Sequence, residues 1–160
     1  MKFYIVSDSY IDFLKKIDNK VPNNYQGNRA FIGVLLEINA HKYFAPLTSY
    51  KPKQDNIKTS APTVMKLHER GNPANKLGMI QINNMIPVID SEIQLLDIEN
   101  QPEPYRSMLY KQYEFIKTKV IEIQNKATRL YALVVDKKQD FYCKISCDFQ
   151  SLEDNYRNFG

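Results

Sequence analysis

Short runs of apolar residues occupy much of the first hundred positions of the chain, and polar residues separate them. Val, Ile, Tyr and Phe are frequent in these runs, as is typical of β-strands. The runs that predict strands are residues 2–6, 30–38, 41–47, 63–68, 77–82 and 87–98. Only Asn39 and Ala40 separate two of them, which predicts a tight hairpin and a mainly antiparallel sheet.

Apolar residues at three- and four-residue spacing predict helices. One helix follows the first strand, where Ser7 or Asp8 is a suitable N-cap residue. From Pro104 the same spacing continues to Ile123 and predicts one long helix with a proline in its first turn. Further helices are expected at about 127–136 and 149–157.

Strands that precede helices in this way predict an α+β fold. The length of 160 residues fits one hydrophobic core. We therefore expect a single domain over residues 1–160, in which helices pack on a twisted antiparallel β-sheet of about six strands.

The net charge of +4 does not by itself indicate a nucleic-acid partner, but its distribution is uneven. Residues 41–80 contain seven Lys or Arg and two acids, and residues 105–129 contain six and two. Between them, residues 81–104 contain five acids and no base. Such an asymmetric field can steer a polyanion to one face, although solvated faces of a mixed-charge protein are an equally good interpretation.

The cysteines and histidines do not form a metal or redox motif. Cys143 and Cys147 have C-x3-C spacing and are expected to be reduced, partly buried thiols. His41 and His68 flank strand-like runs and are expected to have structural or surface roles. No apolar run approaches the roughly 18–20 residues of a membrane span, and the N-terminus turns polar too early for a signal peptide. We therefore expect no metal, no cofactor and a cytoplasmic location.

The stretch APLTSYKPK, residues 45–53, is the strongest candidate for chemistry. Its adjacent hydroxyls, Thr48 and Ser49, precede the cation Lys51. A nucleophilic Ser49 with Lys51 as base is one hypothesis, but the flanking prolines preclude the helix on which an S-x-x-K motif lies. A clamp for a phosphodiester is a second hypothesis, and a plain surface loop is the third.

Tyrosines beside cations favour the phosphodiester hypothesis. Aromatic rings stack on bases while cations meet phosphates, so this combination suits single-stranded RNA. The pairs are Tyr25 with Arg29, Tyr50 with Lys51, Tyr105 with Arg106, and Tyr110 with Lys111. Taken singly, each tyrosine is also compatible with packing in the core.

Four longer segments carry a family resemblance. They are MKFYIVSDSYIDFLKKIDNKVPN, AFIGVLLEINAHKYFAPLTSYKPK, KLHERGNPANKLGMIQINNMIPV and YRSMLYKQYEFIK. Together with the terminal YRNFG, they resemble the ToxN/AbiQ family, the endoribonuclease toxins of type III toxin-antitoxin systems. The resemblance extends over at least residues 1–117, and we do not extend it to residues 120–148. It implies a fold similar to that of the MazF/Kid toxins.

The resemblance also implies a function. Members of the family cleave mRNA and their own precursor antitoxin RNA without a metal, leaving 2′,3′-cyclic phosphate and 5′-hydroxyl ends. Pseudoknotted RNA repeats inhibit them in a ring-like assembly, for which three proteins and three RNAs are expected. Many members protect bacteria against phage by abortive infection. Neither DNA nor a membrane is expected as a partner.

Site residues follow from the resemblance position by position. Thr48 and Ser49 match the hydroxyl pair that contacts the scissile phosphate, and Lys51 matches the lysine that stabilises charge or protonates the leaving oxygen. The expected RNA-binding residues are Tyr10, Tyr25, Arg29, Lys53, Tyr110, Lys111 and Gln112. Two of these differ from the family.

Arg29 replaces a lysine of the relatives, which keeps the charge but changes its geometry. Lys53 replaces an aromatic residue, so the base preference of the relatives does not carry over. His41 lies some 20 Å from Thr48 at about 3.3 Å per residue, and the general base stays unassigned.

The main rival hypothesis is a non-catalytic module that binds single-stranded RNA. An enzyme acting on small molecules is a weaker one, since no closed pocket is indicated.

Overall fold

The computed structural model describes residues 1–26 and 29–160, and among residues 25–30 it describes the backbone of two short strands only. The strands in chain order are β1 Phe3–Val6, β2 Tyr25–Gln26, β3 Arg29–Ala30, β4 Gly33–Ile38, β5 His41–Thr48, β6 Val64–Glu69, β7 Asn72–Gln81, β8 Ile86–Pro87 and β9 Ile93–Leu95. The helices are α1 Asp8–Ile17, α2 Tyr105–Ile116, α3 Val120–Tyr131, α4 Asp140–Ile145 and α5 Phe149–Asn155. No helix within the described ranges has the length and apolar character needed to cross a membrane.

The main sheet is antiparallel throughout and has seven strands within the described residues. Its order is β6-β7-β5-β4-β1-β9, and β8 pairs with β5. The predicted hairpin is confirmed, since Ile38 pairs with His41 and the two turn residues have φ values of +51° and +64°. The α+β fold with an antiparallel sheet of about six strands is therefore confirmed.

The prediction of one long helix from Pro104 to Ile123 is wrong, because the chain turns between α2 and α3. The Thr118 hydroxyl donates to the Phe115 carbonyl at 2.7 Å, and the Lys119 amide donates to the Ile116 carbonyl at 2.9 Å. These contacts span three residues, so they close the end of α2 and prevent the regular four-residue ladder from continuing. The helix predicted at 127–136 is partly the end of α3, which a π-helical turn at Ala132–Asp136 follows.

The single strand predicted over residues 87–98 is also wrong. A 3₁₀ turn at Asp90–Glu92 divides it into β8 and β9. Within this turn, Glu92 accepts a hydrogen bond of 2.7 Å from the Ser7 hydroxyl. Ser7 is the N-cap of α1 by position, but its side chain makes no cap hydrogen bond because the hydroxyl bonds to Glu92 instead. Helix α4 was not predicted.

A buried polar cluster connects α5 to the centre of the sheet. Tyr43 on β5 and Tyr131 on α3 donate to the two carboxylate oxygens of Glu153, at 2.6 and 2.9 Å. Burial raises the pKa of Tyr131 to about 12, and the hydrogen bond to Glu153 adds to the shift. His41 lies 2.8 Å from the Tyr156 hydroxyl, so its role at this end of β5 is structural. The cluster fixes β5 at the end opposite Thr48.

The two cysteines are free, as predicted. Cys147 is buried and Cys143 is half-buried. Burial raises the pKa of the Cys147 thiol to about 12.

Candidate active site

The candidate chemistry lies on a segment that we call the hydroxyl loop, residues 48–53. It starts at the last residue of β5 and leads into a 3₁₀ turn at Pro52–Asn56. The buried Gln54 donates from its side chain to the Ser49 carbonyl and from its backbone to the Lys51 carbonyl, both at 2.9 Å. These two hydrogen bonds fold the loop back on itself and give it a defined shape.

Strand β7 supports the hydroxyl loop from behind, and Gly78 makes this possible. Thr48 pairs with Met79, and Gly78 has a φ of +108°, a region that favours glycine. A Cβ at Gly78 would lie 1.9 Å from the Thr48 carbonyl oxygen and 3.0 Å from the Ser49 carbonyl carbon. Only a residue without a side chain therefore lets β7 approach the loop this closely.

The functional residues of the hydroxyl loop differ in their exposure to solvent. The Thr48 residue is only 9% exposed, whereas Ser49, Lys51 and Lys53 are exposed. A hydroxyl and two ammonium groups thus lie on one short segment whose backbone is fixed. Such a set can donate several hydrogen bonds to one phosphodiester, and hydrogen bonds to charged oxygens are the stronger kind.

Beside the loop is a hydrogen-bonded cluster that the sequence did not reveal. Asp55 accepts from the Tyr50 hydroxyl at 2.7 Å and from the Lys76 ammonium at 2.8 Å. The hydrogen bond from Lys76 lowers the pKa of Asp55, and the same bond raises that of Lys76. Lys76 also lies 5.4 Å from the centre of the Tyr50 ring.

This cluster lines a pocket of about 480 Å³, which we call the loop pocket. Gln54 and Gly78, which support the hydroxyl loop, also line it, and Lys66 and His68 of β6 complete its far side. The pocket is therefore continuous with the loop. A glycine within the strand-like run LGMIQI was the one sequence signal for such a close approach of backbones.

Three predicted RNA-binding residues lie on α2, and they point in different directions. Lys111 is exposed and 3.5 Å from Glu69 of β6. Gln112 is buried and donates to the Leu77 carbonyl at 2.8 Å, so it anchors β7 next to Gly78 rather than presenting an amide to RNA. Tyr110 is partly exposed and donates to Glu99, on the side of the acidic segment 81–104. Of the three, Lys111 alone faces solvent near the hairpin of β6 and β7.

The expectation that Tyr10 contacts RNA does not fit its position. Its side chain is fully buried, and its hydroxyl donates to the Pro87 carbonyl at 2.6 Å. Its ring packs edge-on against Phe159. A tyrosine without exposed surface has no face for a base to stack on. The side chains of Tyr25 and Arg29 lie outside the described residues.

No group of three or more His, Cys, Asp or Glu side chains in the described part of the chain is arranged to hold a metal ion. The His68 ring contacts the Phe115 ring in a tilted arrangement with a centroid separation of 4.3 Å, and its Nδ1 bonds to the Glu69 carbonyl. His68, which lines the loop pocket, is thus held by a ring contact and a hydrogen bond within the protein.

Comparison with known proteins identifies relatives along the whole chain. A family model for toxin ToxN of type III toxin-antitoxin systems matches residues 2–157. The endoribonuclease ToxN of Pectobacterium atrosepticum is 47% identical over 165 residues, covering 100% of this chain and 94% of the relative. Two solved structures also align closely.

One belongs to a bacterial antiviral system regulated by a processed non-coding RNA. It has a TM-score of 0.92 and 44% identity, and the match covers 100% of this chain and 99% of that one. The other concerns selective inhibition of a type III toxin by a non-coding RNA pseudoknot. It has a TM-score of 0.83 and 32% identity, with 98% and 96% coverage of the two chains.

Proposed function

Since the chain belongs to the ToxN family of type III toxin-antitoxin toxins, we propose that it is an endoribonuclease whose active site is the hydroxyl loop. The activity is supported by the relative from Pectobacterium atrosepticum, which is named an endoribonuclease. The location is supported by the geometry of the loop, where an exposed hydroxyl and two ammonium groups follow a buried strand.

The reaction that suits these groups is a transesterification within the RNA. The 2′-hydroxyl of one nucleotide gives its proton to solvent water and attacks the adjacent phosphorus, a new P–O bond forms, and the bond to the 5′-oxygen breaks. The products are a 2′,3′-cyclic phosphate and a 5′-hydroxyl. Negative charge builds up on the non-bridging oxygens during attack, so donors aimed at these oxygens lower the barrier.

Each residue of the loop has a separate role in this reaction. Ser49 is exposed and donates to a non-bridging oxygen, and Thr48, at the end of β5, orients the same phosphate. The Lys51 ammonium neutralises the developing charge and supplies the proton that the leaving 5′-oxygen takes up. Lys53 and Lys111, both exposed, bind flanking phosphates.

Regulation by RNA follows from the same site. A pseudoknotted antitoxin RNA, as in the inhibited relative, occupies the hydroxyl loop and blocks cellular RNA. We propose a ring of three proteins and three RNA repeats in the bacterial cytoplasm, formed after the toxin cuts the repeats from their precursor. Release of the toxin then gives the antiviral response.

The observation that carries the proposal is the fixed hydroxyl loop, and paired variants test it. Ser49→Ala and Lys51→Ala should each lower the rate of RNA cleavage by about 10²- to 10³-fold, as is typical when one donor to a developing oxyanion is removed. Ser91→Ala and Lys144→Ala are matched controls, because both side chains are exposed and lie outside the loop and the loop pocket. They should cleave like wild type.

The same experiment separates a nuclease from a non-catalytic RNA-binding module. Cleaved RNA is treated with phosphatase before and after acid, which distinguishes a cyclic phosphate from an open one. If the folded wild type binds RNA but leaves it intact, the binding-module hypothesis is correct. If both loop variants cut at the wild-type rate, the active site lies elsewhere.

A further inference from the structure

A second basic cleft, which the mechanism above does not use, lies along α3. We propose that this α3 cleft binds the RNA backbone beyond the scissile phosphate, so that bound RNA runs from the hydroxyl loop across residues 59–60 into it. The inference rests on the proposed function and extends it to a second contact region for substrate and antitoxin RNA.

The α3 cleft has a volume of about 680 Å³, and residues from the turn between α2 and α3 form much of its wall. Of the described residues that line it, four are cations and one is an acid. The cations are Lys117, Lys119, Lys126 and Arg129, and the acid is Glu122. The cleft is open to solvent, since Ile121, which lines it, is 78% exposed. An open basic cleft suits a chain of phosphates better than a small molecule.

The acids near the cleft neutralise only part of this charge. Lys119 lies 3.8 Å from Glu122, and Lys117 lies 2.9 Å from Glu114 on α2. All four of these side chains are more than 40% exposed, and exposed ion pairs contribute little and are readily exchanged. The Lys117 and Lys119 ammonium groups are therefore available to phosphates at little energetic cost.

The cleft and the loop pocket are neighbours, because they share one segment of chain. Thr59 lines the loop pocket and the adjacent Ser60 lines the α3 cleft. Residues 59–60 thus form a ridge between the two. An RNA strand that leaves the hydroxyl loop through the loop pocket meets the four cations directly after crossing this ridge.

Lys126 fixes the ridge. Its ammonium donates to the Thr59 carbonyl at 2.7 Å and to the Ala61 carbonyl at 2.7 Å. The same side chain therefore holds the ridge against α3 and adds a positive charge beneath the proposed RNA path. Because Lys126 has this structural role, it is not a suitable position for a test of RNA binding.

Lys117 and Arg129 are better positions, since both side chains line the cleft and neither fixes the ridge. The test variant is Lys117→Gln with Arg129→Gln. The matched control is Lys137→Gln with Lys144→Gln, which removes the same charge from exposed positions that do not line the cleft. A second pair, Lys117→Arg with Arg129→Lys, keeps the charge and should restore binding.

Binding is measured in a Ser49→Ala background, so that the RNA stays intact. The probes are single-stranded oligoadenylates of two lengths. A probe of about 4 nucleotides reaches the hydroxyl loop only, and a probe of about 30 nucleotides reaches both the loop and the α3 cleft. At about 50 mM salt, the test variant should bind the long probe about 100-fold more weakly than the control does. At about 200 mM salt this difference between test variant and control should shrink roughly tenfold. The control makes two more phosphate contacts that release counterions, so its affinity falls more steeply with salt. The short probe should bind equally to both.

Two outcomes would overturn the inference. If the test variant binds the long probe like the control, the cleft is not an RNA site. If it loses the short probe to the same extent as the long one, the damage lies at the hydroxyl loop. RNA cleavage is measured separately, with proteins that retain Ser49. If the wild type does not cleave RNA but the test variant still binds the long probe more weakly than the control does, the proposed nuclease activity is refuted and the α3 cleft remains supported as an RNA site.

Discussion

Replacing Gly78 with alanine should damage the proposed active site without removing any functional group. The added Cβ would lie 1.9 Å from the Thr48 carbonyl oxygen, whereas real Cβ contacts are not closer than about 3.0 Å. The opposing atoms belong to the backbone of Thr48 and Ser49, so no side-chain rotation relieves the clash. The hydroxyl loop must therefore move away from β7 by about 1 Å.

A displacement of this size is sufficient to disable phosphoryl chemistry. Misplacing reacting groups by about 1 Å typically lowers the rate about 10²-fold. The φ of +108° adds backbone strain of about 1–3 kcal/mol in the variant. This is less than the 5–15 kcal/mol by which domains of this kind are usually stable, so we expect a folded protein with a low kcat.

The assay compares single-turnover cleavage of a labelled RNA by Gly78→Ala and Gly71→Ala. Gly71 also has a positive φ, +81°, but its added Cβ would meet no atom within 4 Å. Both variants should lose some stability in urea unfolding, and only Gly78→Ala should lose about 10²-fold in rate. Wild-type cleavage by a folded Gly78→Ala protein, or equal losses in both variants, would refute the argument that this backbone contact positions the loop.

Three further predictions follow from the described contacts. The hydrogen bond from Lys76 lowers the pKa of Asp55. The pair therefore stabilises the fold fully at pH values above the ordinary carboxyl pKa of about 4, and this contribution is lost as the pH falls through the lowered pKa. Urea unfolding should therefore find Asp55→Asn less stable than wild type at pH 7 and equal to it at strongly acid pH. Tyr43→Phe should cost about 1–3 kcal/mol in the same assay, because it leaves a Glu153 oxygen without its 2.6 Å donor. Burial raises the pKa of Cys147 to about 12, so its thiol should stay protonated at about pH 8, where ordinary thiols begin to react. Mass spectrometry should therefore find Cys147 unmodified after iodoacetamide treatment of the native protein at this pH. Rapid modification would contradict its burial.

The sheet was predictable because its signals are local. The hairpin needs residues that tolerate positive φ, and Asn39 is one of the few that do. The alternation and length of the apolar runs then identify the strands on either side. The break between α2 and α3 was not predictable from apolar spacing, because a single hydroxyl, that of Thr118, competes for the Phe115 carbonyl.

The candidate site was predictable only where its residues are adjacent in sequence. Thr48, Ser49 and Lys51 lie within four positions of one another, so their pattern is visible in the chain. Asp55 and Lys76 are 21 residues apart, and the pairing of β5 with β7 places the turn that carries Asp55 beside Lys76. Tyr10 shows the opposite failure, since a family position suggested exposure and the packing of α1 buried it.

The hairpin between β4 and β5 offers a site at which the protein can be stabilised by a single substitution. Ala40 is exposed and has a φ of +64°, a conformation that disfavours any side chain with a Cβ. Ala40→Gly would create an Asn-Gly pair, the preferred sequence for such turns, and should raise the free energy of unfolding by about 0.5–1 kcal/mol. A stabilised background of this kind would keep weakened active-site variants in solution at physiological temperature, so their loss of activity could be measured on intact protein.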